Sequence, residues 1–184
     1  MKRGKFIVVS GPSGVGKGTI CNILIKELDA EYSVSYTTRS PRKGEIDGVN
    51  YNFVSKEEFE KMIQMGDLLE YNFYNGNYYG TSKSFVLDKI NKGKNIFSEI
   101  DVNGAKNIKK IFSDALLIYI APPSIEELKR RLVDRGTETI DKINERLKIA
   151  KMEMEQVDFY DYVVVNDDLD KAINDVRKII ESHI

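Results

Sequence analysis

The stretch Lys5-Phe6-Ile7-Val8-Val9-Ser10-Gly11-Pro12-Ser13-Gly14-Val15-Gly16-Lys17-Gly18-Thr19-Ile20 decides the fold. Phe6 to Val9 is apolar throughout, without the alternation of a half-exposed strand, and so reads as a parallel strand buried on both faces. A glycine-rich turn follows, and then Ile20, Leu24 and Leu28 recur at helical spacing. In that strand, turn and helix setting, Gly11 to Lys17 is a phosphate loop. Glycines let the backbone curl until consecutive N–H groups and the positive end of the helix face an anion, and Lys17 adds a point charge for the β and γ oxygens. The competing reading, a tight turn with an exposed lysine, leaves the register of strand and helix unexplained. The loop departs from its usual form at Gly18, where a serine or threonine commonly follows the lysine. A hydroxyl at that position therefore cannot coordinate a metal directly, and magnesium is expected to be held through water and nucleotide phosphates.

Outward from this unit the chain alternates. Strands are predicted at Asn95 to Ile100, Leu116 to Ala121 and Tyr162 to Val165, with helices from about Val102 to Phe112, Ile125 to Arg135 and from Leu169 onward. That is an α/β pattern around a parallel sheet. Ser124 with Glu127 suggests a capping box for the helix from Ile125, and Gly136 is placed to stop that same helix. Residues 33 to 81 break the rhythm. Ser33 to Thr38, Tyr51 to Val54 and Leu68 to Tyr74 read as strands around one helix near Ser55 and Glu58, and Asn75-Gly76 is a hairpin-turn signal. An inserted antiparallel or mixed sheet is expected.

Composition narrows the class. The 184 residues suffice for one globular unit, with 41% hydrophobic and 31% charged residues and four prolines. A net charge of −1 gives no basic field to draw nucleic acid or an anionic membrane. Six of the eight arginines nevertheless fall in two groups, Arg39 with Arg42, and Arg130, Arg131, Arg135 and Arg146. The single cysteine, Cys21, forms no internal disulfide and suits a reducing compartment. With no signal-peptide or membrane-length apolar run, a cytoplasmic protein is expected. His183 and Cys21 receive no catalytic role, and Met152 and Met154 are expected to pack or to sit on a helix surface.

A phosphate loop alone leaves hydrolysis, switching and transfer open, so a second anion site matters. Ser35-Tyr36-Thr37-Thr38-Arg39-Ser40-Pro41-Arg42 places two planar guanidinium forks three residues apart at a strand end. Tyr51, Tyr78 and Tyr79 add hydroxyl donors, and Glu70 is a carboxylate within an apolar and aromatic stretch. This segment, with Gly48-Val49-Asn50-Tyr51-Asn52-Phe53-Val54 and Gly76-Asn77-Tyr78-Tyr79-Gly80-Thr81, resembles the guanylate kinase family. Glu99-Ile100-Asp101, Arg135-Gly136-Thr137-Glu138-Thr139, Arg146-Leu147 and Val165-Asn166-Asp167-Asp168-Leu169 extend the resemblance along nearly the whole chain.

The resemblance implies a P-loop NTPase-type three-layer fold with a central parallel sheet, an inserted mixed-sheet GMP-binding subdomain and a helical lid. Residues 1–184 would form a single domain, with core 1–32, 95–125 and 158–184, GMP-binding insert 33–94 and lid 126–157. The implied reaction is magnesium-dependent transfer of the terminal phosphoryl group of ATP to GMP. ATP would lie on Gly11, Pro12, Ser13, Gly14, Val15, Gly16, Lys17, Gly18, Thr19, Arg131, Arg135 and Asn166. Arg39, Arg42, Tyr51 and Tyr79 would hold the GMP phosphate, and Ser35, Glu70 and Thr81 would read the guanine. Asp101 is assigned either to GMP or, with Glu99, to organising magnesium and Lys17. Lys17, Arg39, Arg135 and Arg146 would carry catalysis; the plainer alternative pairs the lid arginines with Glu126, Glu127 or Glu138. Two other readings stay open: a P-loop kinase for a different phosphorylated acceptor, and a guanylate-kinase-like interaction module, a class that generally lacks a working phosphate loop. Monomer and homodimer are both compatible with the sequence.

Overall fold

The computed structural model describes residues 3–74, 76–134, 136 and 139–184. The chain runs β1 (Phe6–Ser10), α1 (Lys17–Glu27), β2 (Glu31–Tyr32), β3 (Tyr36–Thr37), β4 (Asn52–Phe53), α2 (Lys56–Met65), β5 (Leu68–Tyr74), β6 (Asn77–Ser82), α3 (Lys83–Asn91), β7 (Ile96–Glu99), α4 (Val102–Ile111), β8 (Leu116–Ala121), α5 (Ile125–Asp134), α6 (Ile140–Met154), β9 (Tyr162–Val165) and α7 (Leu169–Glu181). Five strands form a parallel sheet in the order β2-β7-β1-β8-β9, and four form a separate mixed sheet in the order β4-β3-β6-β5.

The apolar run of β1 explains the layering. Phe6 aligns with Ile96 on one side and Ile7 with Leu116 on the other, so β1 is central. Phe6 and Val8 face Val86 and Ile90 of α3 and Val102, Ala105 and Ile108 of α4. Ile7 and Val9 face the opposite way, against Ile20 and Leu24 of α1 and Ile173, Val176 and Ile180 of α7. Successive side chains of one strand thus enter two different cores, which requires Phe6 to Val9 to be apolar throughout. A third, smaller cluster joins α5 to α6 through Leu128, Leu132, Ile143, Leu147 and Ala150.

The inserted segment departs from its sequence reading in instructive ways. The strand expected over Ser33 to Thr38 is divided between the two sheets. Glu31–Tyr32 pairs with β7, and the Ser33 N–H donates to the Phe97 carbonyl at 2.8 Å, whereas Tyr36–Thr37 pairs with β4 and β6. Helix α3 was not anticipated; its signals are Ser82, whose hydroxyl caps the Phe85 N–H, and Val86 with Ile90 on one face. Ser55 and Glu58 form the full capping box of α2. At α5 only the Ser124 half is present: its hydroxyl accepts the Glu127 N–H at 3.0 Å, while the Glu127 carboxylate turns to Arg130 and Arg131. Strands β5 and β6 form the expected hairpin, with Gly76 at φ 79°. Asn75 of that turn, and Arg135, Thr137 and Glu138 before α6, lie outside the described residues. Among the described residues no helix is long and apolar enough to cross a membrane.

Core and cap substitutions should separate clearly in urea unfolding. Ile118→Ala, which opens a cavity at a fully buried position of β8, is expected to cost about 2–5 kcal/mol. Ser55→Ala, which removes one side of the α2 capping box, is expected to cost about 1 kcal/mol.

Candidate active site

The carboxyl ends of β1 and β7 and the loop after β1 make the floor of the site, where open α/β sheets commonly bind their ligands. The loop is as tight as its glycines foretold. A Cβ on Gly11 would stand 2.2 Å from the Ile120 carbonyl oxygen, so the backbone packs directly against β8. Gly16 caps α1 at φ 101°, and a Cβ there would meet the Asn166 side chain at 2.7 Å. Asn166 is buried and its amide donates to the Val15 carbonyl at 2.8 Å, tying the end of β9 to the loop. Lys17 lies along the loop, its ammonium donating to the carbonyls of Gly11 and Pro12 at 2.5 and 3.1 Å.

Two clefts adjoin this loop. The smaller, about 440 Å³, is lined by Gly14, Val15, Gly16, Thr19, Arg131 and Asn166, all assigned to ATP from the sequence, and by Asp134, Asp167 and Leu169. Arg131 also donates to Glu127 at 2.9 Å, so the expected helix-surface pair and the cleft-lining position coexist. Arg130 lines neither cleft and pairs with Glu127 and Asp134. Gly18 lines neither cleft; it sits beside Glu99, whose Oε1 would lie 3.6 Å from a Cβ at that position.

The larger cleft, about 670 Å³, gathers Gly11, Pro12, Ser13 and Lys17 with Ser35, Arg39, Arg42, Tyr51, Glu70, Tyr79, Asp101 and Arg146. Residues distant in sequence converge because β3, β5 and β6 lay the inserted sheet against α4, and α6 approaches from the other side. Arg39 is held before any ligand arrives: its guanidinium grips Glu45 through two bonds of 2.9 Å and lies over the Tyr51 ring at 5.3 Å. Tyr51 and Tyr79 stand edge to face with centroids 5.9 Å apart. Burial pushes the Tyr51 phenol up, so it remains a hydrogen-bond donor at neutral pH.

Glu70 is the most unusual group. It is 7% exposed, and its carboxylate accepts the Thr81 hydroxyl at 2.7 Å. A register shift between Leu68 and Glu70 turns two consecutive residues, Leu69 and Glu70, inward, which a regular strand would not do. Desolvation raises the carboxyl to about 7, with the Thr81 bond acting against that rise and the Asp101 charge adding to it. Thr81 is fully buried behind Glu70 and acts on the carboxylate instead of lining the cleft. Asp101 caps α4, accepting the Gly104 N–H at 2.9 Å, and both its oxygens accept from the Asn72 amide.

Helix α6 also reaches the loop. The Arg146 guanidinium donates to the Ser13 hydroxyl at 2.7 Å across 133 positions of sequence. Lys142, Glu145, Ile149 and Glu153 share that face of α6 and line the same cleft, and sequence reasoning had assigned them nothing. The only available signal was their helical spacing from Arg146. Burial raises the Glu153 carboxyl, against the pull of Lys17. Glu99 is likewise raised by burial, while Lys17 and a bond from the Tyr32 hydroxyl work the other way. Tyr32 was also missed, because β2 was not expected to join the core sheet. Cys21 is buried and its thiol raised well above the ordinary range, in keeping with a packing role. His183 bonds the Ile179 carbonyl and packs edge-on against Tyr162, away from the clefts.

A phosphate loop, a tyrosine and arginine anion site and a buried carboxylate in one cavity invite comparison with known proteins. The guanylate kinase of Halalkalibacterium halodurans is 49% identical over 180 residues, covering 97% of this chain and 88% of that protein. The guanylate kinase of Bacillus subtilis is 49% identical over 181 residues, covering 97% of this chain and 89% of the relative. Among solved structures, guanylate kinase from Anaplasma phagocytophilum superposes with a TM-score of 0.81 at 34% identity, covering 98% of this chain and 86% of that one. Shikimate kinase from Bacteroides thetaiotaomicron shares the fold alone, with a TM-score of 0.52 at 10% identity over 96% of this chain and 98% of that one. Because the guanylate kinase family matches residues 3–183, the extent that contains both clefts and every element bordering them, the chain belongs to that family.

Proposed function

We propose that the two clefts work as one phosphotransferase site, in which the larger holds GMP against the end of ATP and the smaller holds the rest of ATP. The chain is an ATP:GMP phosphotransferase, giving ADP and GDP. The observation that carries the assignment of roles is a single cavity shared by Lys17, the Arg39, Arg42, Tyr51 and Tyr79 set and the buried Glu70.

The roles follow from the chemistry. An oxygen of the GMP phosphate attacks the γ-phosphorus, and that oxygen is already anionic near neutral pH, so no general base is needed. Catalysis consists of aligning two polyanions and cancelling their repulsion. Lys17 leaves the loop carbonyls for the ATP phosphates, and Arg146 supplies charge from α6. Arg135 is assigned beside it from the family resemblance. The GMP phosphate competes with Glu45 for Arg39, which stands pre-aimed on Tyr51. Ionised Glu70 accepts from guanine N1–H and the 2-amino group, with Ser35 and Asp101 bordering the same space. Adenine offers an acceptor at N1 and no 2-amino group, leaving a buried carboxylate unpaired at a cost of about 1–3 kcal/mol.

Among the described residues no group of three or more His, Cys, Asp and Glu side chains is placed to hold a metal ion. With Gly18 lacking a hydroxyl, this donor set fits magnesium carried on nucleotide phosphates and water, with the Glu99 carboxylate beside Gly18. Magnesium so bound would offset charge on the transferring phosphoryl group. The insert (33–94) and the lid (126–157) are the parts that close on the core (1–32, 95–125 and 158–184). The separate second sheet and the small core between α5 and α6 support that division. The buried, unpaired Cys21 suits the reducing cytoplasm.

A coupled ADP-release assay with Mg-ATP and each of GMP, AMP, CMP and UMP tests the assignment. Turnover is expected with GMP alone, with slow ATP consumption in its absence, and Lys17→Ala should reduce kcat by about 10²–10³. Equal turnover of AMP would remove the guanine-reading role from Glu70.

Glu70 also sets a pH dependence. Its folded-state value of about 7 lies above the ordinary 4.5, so the folded protein retains a proton that the unfolded chain has released. Stability of the ligand-free protein should therefore fall as pH rises from about 4.5 to about 7. The KM for GMP should fall over the upper part of that range as the carboxylate ionises. Both dependences should be weakened in Glu70→Gln, the stability change that persists coming from the Glu99 and Glu153 carboxyls, which burial also raises, and the KM change that persists from ionisation of the GMP phosphate near about 6; pH-resolved urea melts and kinetics provide the check.

A further inference from the structure

Gly104 occupies the third position of α4, where nothing in the backbone asks for glycine. It is absent from the positive-φ residues, and its N–H makes an ordinary capping bond to Asp101 at 2.9 Å. Glycine weakens a helix relative to alanine, so its presence points to a neighbour that needs the room. The neighbours are Ile100 and Glu70. A Cβ on Gly104 would stand 2.7 Å from Glu70 Oε2 and 2.5 Å from Ile100 Cγ2, both closer than real side chains approach. Glu70 Oε1 is meanwhile anchored by the Thr81 hydroxyl at 2.7 Å. The carboxylate is thus fixed at one oxygen by a bond and set in depth at the other by the missing side chain of a helix 34 positions later.

We propose that Gly104 is a specificity-positioning residue for the acceptor base, setting how far the Glu70 carboxylate withdraws from the larger cleft and so the plane in which it meets two donors at once. This rests on Glu70 as the guanine reader. A methyl group at Gly104 would displace Oε2 toward the cleft and rotate the carboxylate off Thr81. Reading the N1–H and the 2-amino group together demands both oxygens in register, and reading N1–H alone does not. The substitution therefore penalises guanine more than hypoxanthine, which keeps N1–H and lacks the 2-amino group.

The test is a comparison of kcat/KM for GMP and IMP in the full-length protein, for wild type, Gly104→Ala, Glu70→Ala and the double variant, with the KM for ATP measured alongside. Gly104→Ala should lower the GMP-to-IMP ratio by about tenfold or more, through the KM for GMP, with the KM for ATP unchanged. In the Glu70→Ala background the same substitution should change that ratio by less than about twofold, because the carboxylate contact is gone and only the aliphatic contact with Ile100 is left. Equal losses for GMP and IMP, or an undiminished effect without Glu70, would assign Gly104 to the packing of α4 and overturn the proposal. If Glu70→Ala itself leaves the ratio unaltered, the fault lies one level down, in the reading of Glu70, and the proposal falls with it. Should Gly104→Ala fail to fold, the comparison is repeated with Ile100→Ala as the parent, which removes the aliphatic contact and leaves that with Glu70.

Discussion

The burial of β1 between β7 and β8 is the constraint on which the remaining structure depends. A five-residue strand with both faces covered and both edges paired cannot shift by one residue without exchanging the contents of two cores. Its rigidity is passed to the loop at its end, whose backbone rests on the Ile120 carbonyl, and to Glu99 at the end of the adjacent strand. A phosphate cradle made of main-chain N–H groups has no side chains to adjust, so its accuracy is that of the sheet beneath it.

On this floor the protein assembles charges that have partial partners before substrate binds. Lys17 rests on carbonyl oxygens, Arg39 on Glu45 and Arg146 on Ser13. Each contact keeps a long cationic side chain ordered, so less conformational freedom is lost when a phosphate replaces it. Glu70 represents the opposite tendency: it is desolvated, near another carboxylate and held by one hydroxyl, which is costly to the free protein and, on the proposed reading, is offset only when a base with two donors fills the cleft. The insert carries that cost while the parallel sheet supplies the stability, a separation often seen where discrimination and robustness conflict.

Much of this was legible in the sequence because the signals were local. The phosphate loop, the start of α2 near Ser55 and the three later strands each rest on residues within a few positions of one another. Arg39, Arg42, Tyr51, Glu70 and Tyr79 were found through motif and resemblance, and all of them line one cavity. What escaped was fixed by encounters between remote segments. Two residues at Glu31–Tyr32 join a sheet whose partner strand lies 65 positions away. Glu153 is an ordinary helical glutamate until α6 is laid across Lys17. Gly104 resembles a poor helix former until the bulge in β5 aims a carboxylate at it. Local propensity cannot reveal such pairs, since neither partner's neighbours carry any trace of the other.

The register of β1 also bears on how the molecule comes into being. Its companions in the sheet are Ile96 to Glu99 and Leu116 onward, so this apolar central strand leaves the ribosome about ninety residues ahead of its first sheet partner. Helix α1 can shelter one face early, but the edges wait for β7 and β8. The nascent chain therefore carries an adhesive segment through half of its synthesis, and this enzyme should depend on holding chaperones during translation more than a protein whose central strands pair with their sequence neighbours.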